Sequence, residues 1–83
     1  VSSIAEVVSA LASVRELLLQ AHQGLVEADE LMGEALAVLN KLGKHHSESL
    51  TPPELLRAGE THQRSQELLG AALDRVESLM TSL

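Results

Sequence analysis

The stretch that decides the fold runs from Ile4 to Leu42, IAEVVSALASVRELLLQAHQGLVEADELMGEALAVLNKL. Its apolar residues step by alternating threes and fours: Ile4, Val7, Leu11, Val14, Leu18, Ala21, Leu25, Ala28, Met32, Ala35, Leu39 and Leu42. No position on that path is polar. At the ~3.5 residues per turn of a supercoiled helix, all of them fall on one side. A strand would alternate with period two, and no such alternation is present. The spacing predicts one long helix carrying a coiled-coil seam.

The start of that helix is marked. Ser3-Ile4-Ala5-Glu6 fits a capping box, in which Ser3 accepts from the Glu6 amide and the Glu6 side chain reaches back to the Ser3 amide. Its end is expected near Leu42. Gly43 suits a left-handed residue just past the helix, and Lys41, Lys44 and His45 complement the negative end of the dipole. Gly24 and Gly33 are the weak points, each costing about 1 kcal/mol relative to Ala. A break near Gly24 would give a three-helix bundle instead. The heptad phase runs through both glycines without a slip, which favours one helix over about 3–42.

Residues 43–51 carry no apolar period and are expected to form the loop, with Leu50 stapling it to a second helix. Thr51-Pro52-Pro53-Glu54 then places a cap, a proline in the first turn and an acidic residue in sequence, starting that helix over about 52–82. Its seam is expected at Leu55, Ala58, His62, Ser65, Leu69, Ala72, Val76, Leu79 and Leu83. His62 and Ser65 are its two polar members. Two long helices joined by a short loop make an antiparallel hairpin. With the loop centred near residue 48, His62 is expected opposite Met32 and Ala35.

The apolar surface is wider than two helices need. Ala10, Leu17, Leu31 and Val38 run beside the first seam, with Val8 and Leu36 on its other flank. Leu68, Leu73 and Met80 do the same on the second helix. Three apolar positions per heptad suit a bundle. Leu17, Leu31, Val38, Leu68, Leu73 and Met80 are therefore the candidate interface, completed most simply by a homodimeric four-helix bundle.

Composition agrees with an all-α protein. The 83 residues include no Phe, Tyr, Trp or Cys. A core built only of Leu, Val, Ala, Ile and Met is typical of bundles, and disulfides and thiolate metal sites are excluded. One helical domain over 1–83 is the natural size, and so short a chain is marginal alone, which again points to oligomerisation. The net charge of −6 argues against nucleic acid, which binds through Lys and Arg. No apolar run approaches the ~20 residues that span a bilayer. No signal peptide is evident, so the chain is expected in the cytoplasm or exported by another route. It opens on Val1, as a trimmed or excised chain would.

Chemistry is hard to find. His22, His45, His46 and His62 show no metal-ligand spacing with one another or with a carboxylate pair. His45 and His46 are adjacent, so their side chains diverge, and both are expected to be solvated. His62 is expected to bond to a neighbour such as Ser65 or Gln66, or to specify register as a polar residue in an apolar layer. Most acids lie off the seam, and Arg57, Arg64 and Arg75 are expected on the outer flank in pairs such as Glu60 with Arg64. No nucleophile elbow and no glycine-rich phosphate loop is present. No catalytic residue, metal or cofactor is expected, and the protein is not expected to be an enzyme.

The stretches Ser3-Ile4-Ala5-Glu6-Val7 and Val14-Arg15-Glu16-Leu17-Leu18, and the loop through Ser47 and Ser49, resemble a class of small actinobacterial helical hairpins. These are broadly similar to the WxG-type hairpins of type VII secretion and to leaders of secreted toxins. The resemblance implies a bacterial export or targeting hairpin. The Trp turn and the Tyr-based C-terminal signature have no counterpart here, so no functional residue carries over.

Three functions are thus in view. The leading one is a non-catalytic interaction module that self-associates or docks on another helical protein. The others are an export leader of a toxin and a small acidic immunity or inhibitor protein.

Overall fold

The structure, a computed structural model, describes residues 3–83. It consists of two helices, α1 over Ile4–Gly43 and α2 over Pro53–Ser82, and no strand among the described residues. α1 is unbroken through Gly24 and Gly33, so the three-helix alternative does not form. The heptad phase explains why. A kink at either glycine would rotate half of the apolar path away from α2, which costs more than the ~1 kcal/mol of poor propensity.

The two ends of α1 follow different chemistry. At the start, Ser3 Oγ accepts from the Glu6 amide at 3.1 Å, and the Ser3 carbonyl accepts from the Val7 amide. The return bond from the Glu6 side chain is not made among the described residues, so half of the capping box forms. At the end, no glycine adopts a positive φ. The expected left-handed Gly43 is thus a right-handed helical residue, and Lys44 continues at φ −60°, ψ −23°. The amides of His45 and His46 bond three residues back, to Leu42 and Gly43. A tightened last turn serves the orphan carbonyls in place of a left-handed cap.

α2 opens differently from the sequence expectation as well. Pro52, not Thr51, holds the N-cap position, and no side chain caps the helix. Pro53 occupies the first turn, where its missing amide costs nothing, and the Pro52 carbonyl accepts from Leu55. Two consecutive prolines push Thr51 one residue out of range. Its own amide turns back to Ser49 Oγ at 3.3 Å.

The hairpin is long and narrow, 65 × 18 × 15 Å, with a radius of gyration of 19.1 Å. A compact chain of this length has a radius of about 12 Å. Among the described residues, no side chain is fully enclosed. The half-buried ones mark the contact between helices: Val8, Leu11, Leu18, His22, Leu25, Ala28, Met32, Leu36 and Leu39 on α1. On α2 they include Leu55, Gly59, His62, Ser65, Gln66, Leu69, Ala72, Leu73, Val76 and Met80.

This is a correction to the expected seam. Half of it holds: Leu11, Leu18, Leu25, Ala28 and Met32 are half-buried along α2, and Leu39 beside the loop. The other half does not. Ile4, Val7, Val14, Ala21, Ala35 and Leu42 are exposed, and residues one position beyond four of them, Val8, His22, Leu36 and Gly43, are half-buried in their place. The apolar arc of α1 is three lines wide, and a single neighbouring helix covers a narrow strip. α2 packs along one edge of that arc and leaves its centre open. On α2, likewise, Ala58, Leu79 and Leu83 are exposed while Gly59, Gln66, Leu73 and Met80 are half-buried.

Candidate functional site: an unpartnered seam on the long helix

With α2 on the edge of the arc, a second path along α1 is free. It runs Val7, Ala10, Val14, Leu17, Ala21, Gly24, Ala28, Leu31, Ala35, Val38 and Leu42. The steps again alternate three and four, and no member is polar. All but Ala28 are exposed, with Leu17 at 64%, Leu31 at 65% and Val38 at 58%. The covered seam is chemically poorer, since it includes His22 and passes Arg15 and Asp29. The cleaner of the two heptad seams on α1 is thus the one left uncovered except at Ala28. The two lie about 100° apart around the helix at ~3.5 residues per turn. That is the angle between neighbours in a four-helix arrangement.

α2 adds to the same side. In an antiparallel pair, equivalent flanks of the two helices meet on one face. Ala28 of α1 and Ser65 and Ala72 of α2 are half-buried together on that flank. Leu68, 63% exposed, and Leu79, 49% exposed, stand just beyond them. The structure therefore divides the six interface candidates. Leu17, Leu31, Val38 and Leu68 belong to the open face. Leu73 and Met80 are half-buried on the opposite flank and serve the hairpin itself. Sequence spacing pointed to the stripe but placed Val7, Val14, Ala21, Ala35 and Leu42 in the covered seam. The unbroken path from Val7 to Leu42 was the available signal.

The polar members of the α2 seam behave unequally. His62 is half-buried, and its Nε2 bonds the backbone carbonyl of Leu25 on α1. It does not bond Ser65 or Gln66. Ser65 is half-buried, with no protein hydrogen bond to its hydroxyl among the described residues. The His62–Leu25 bond also corrects the register. His62 falls near Leu25, about two turns further from the loop than Met32 and Ala35. The cause is the loop, which descends along α1 before α2 begins. Leu50 and Thr51 share a hollow of about 250 Å³ with Leu39, Asn40 and Gly43, which places this part of the loop beside the end of α1. Counting outward from His62–Leu25, Ser82 falls near Ile4, so the outer ends of α1 and α2 are level.

His22 is half-buried on the covered flank, a position the sequence path did not include. His45 and His46 are exposed. Among the described residues, no group of three or more His, Asp or Glu side chains converges as a metal site would require. A second hollow, about 350 Å³, lies between Arg15, Glu77, Met80 and Thr81. Lys44 and Ser49 also line the first hollow, where Ser49 Oγ accepts from the Thr51 amide and makes no hydrogen bond with Lys44 among the described residues. The arginine pairs also differ from expectation: Arg57 lies 4.0 Å from Glu54, both well exposed, and Glu60 does not pair with Arg64. Such a surface pair contributes little. Among the described residues, no helix is long and apolar enough to cross a membrane.

Comparison with protein-family models, with curated proteins and with solved structures finds no match to this chain.

Proposed function

We propose that the protein is a non-catalytic helical interaction module whose working surface is the open seam of α1. The observation that carries this is the unbroken apolar path from Val7 to Leu42, exposed on a helix whose other seam is already covered. An exposed apolar patch of that length, bordered by the polar line Glu6, Ser13, Gln20, Glu27, Glu34 and Lys41, is the signature of an interface. The occupant is another helix, because the steps of three and four match only a helical partner.

Burial supports the same conclusion. A folded chain of 8.9 kDa exposes about 4,800 Å² when compact. This hairpin exposes 6404 Å². Ordering each residue costs about 1–2 kcal/mol, and among the described residues no side chain is fully enclosed to offset it. A partner on the open face supplies the missing burial.

The test uses the double substitution Leu17→Glu and Leu31→Glu. Both residues are exposed in the hairpin, so the substitutions remove no contact between α1 and α2. Binding of the protein to a synthetic Leu/Ala heptad helix, or to itself, should disappear. A wild-type chain that associates with neither at high micromolar concentration refutes the module. The long, narrow hairpin shape also suits an export leader of a secreted toxin. That alternative requires a toxin domain or secretion genes adjoining the coding sequence.

A further inference from the structure

The open seam of α1 has a symmetry that names its occupant. Its five central members are palindromic in size about Gly24, while further out Val14 pairs with Ala35 and Ala10 with Val38, a large residue against a small one each time. Leu17 and Leu31 lie seven residues to either side of Gly24. Ala21 and Ala28 flank it, and Val7 and Leu42 close the ends. We infer that α1 pairs with α1 of a second copy, antiparallel, about a two-fold axis at Gly24. This rests on the interaction-module reading above and identifies the partner.

Three observations favour a second copy. First, an isologous contact requires one patch to complement itself. About Gly24, each Leu17 meets the other copy's Leu31, and the small Ala21–Gly24–Ala28 segment meets itself. The bulky layers and the close-approach layer therefore coincide. Nothing lies within 4 Å of a side chain placed at Gly24, so that layer is open in the hairpin. Second, the area fits. The hairpin exposes about 1,600 Å² more than a compact chain of its mass. Covering that on two copies buries about 3,200 Å², within the range of obligate homodimers. Third, the flanking charges agree. In an antiparallel pair equivalent flanks meet, which brings Glu6 beside Lys41 of the other copy and sets Glu27 and Glu34 opposite Gln20 and Ser13. Like charges do not confront each other along that edge. With Leu68 and Leu79 on the same face, the α2 helices close the assembly into a four-helix bundle.

The protein has no cysteine, so single cysteines report the geometry directly. Gly24→Cys, on the axis, should form an intermolecular disulfide with its own copy under mild oxidation, because facing positions there come within bonding range. Ala10→Cys alone should not cross-link. Mixed with Val38→Cys chains, it should give the hetero-disulfide. Sedimentation equilibrium of the wild-type chain should show a dimer. Leu17→Glu should weaken that dimer more than about 30-fold. A dimer in which Ala10→Cys cross-links with itself is parallel and overturns the proposal. A monomer that still takes up a synthetic heptad helix overturns the self-pairing but leaves the module standing. A monomer that takes up neither overturns both.

Discussion

Ser3 and Thr51 are both hydroxyl residues set before a helix, and they contribute differently. Ser3 Oγ accepts from the Glu6 amide, while Thr51 lies one residue outside the α2 cap. Ser3→Ala should therefore cost about 1 kcal/mol and Thr51→Ala close to nothing, read as shifts of the urea midpoint. Equal shifts would mean that Thr51 caps after all. His62 belongs to the same scale. It spans the hairpin to the Leu25 carbonyl, the one side-chain hydrogen bond between the helices among the described residues. His62→Ala should lower stability by about 1 kcal/mol in the same assay, and an unchanged midpoint would show that the bond contributes nothing. A polar residue at position 62 was legible in the sequence. Its acceptor was not, because a backbone carbonyl leaves no trace in residue identity.

At the scale of the helix, α1 is held by continuity of phase. Gly33 sits on the flank with Leu19, Val26 and Asn40, away from the open seam, and nothing approaches within 4 Å of a side chain placed there. Gly33→Ala should add about 1 kcal/mol of helix propensity and raise Tm by roughly 4–8 °C in a thermal melt followed by circular dichroism. A fall in Tm would show that this flank is packed. The extent of both helices was readable to within a residue at each end, since periodicity, caps and prolines all speak locally. The packing face was only half readable. Lines through Leu11, Val14 and Leu17 are all apolar, and no local signal says which edge of so wide an arc a neighbouring helix will take.

At the scale of the molecule, shape and charge govern association. Each chain carries −6, so two copies repel at long range. Raising ionic strength from about 0.01 M to 0.15 M shortens the Debye length from about 30 Å to 8 Å and should tighten the proposed dimer. Sedimentation equilibrium at the two salt concentrations measures this. Weaker association at higher salt would mean that opposite charges, not the apolar seam, hold the copies together. The 65 Å length matters too. A seam running most of that length lets many small contacts add, which suits a stable pair better than a transient one.

By itself the sequence determined that this chain is two helices and a loop, apolar on one side. Those properties follow from local steric preference and from the period of hydrophobic residues, both written residue by residue. Only the tertiary structure decided that α2 takes the edge of the apolar arc, that the loop descends along α1 and shifts His62 to Leu25, and that Leu73 and Met80 part company with Leu17, Leu31, Val38 and Leu68. The reason is geometric. A helix wide enough to pack on two sides offers two seams of similar worth, and the choice between them depends on how the loop brings the second helix back.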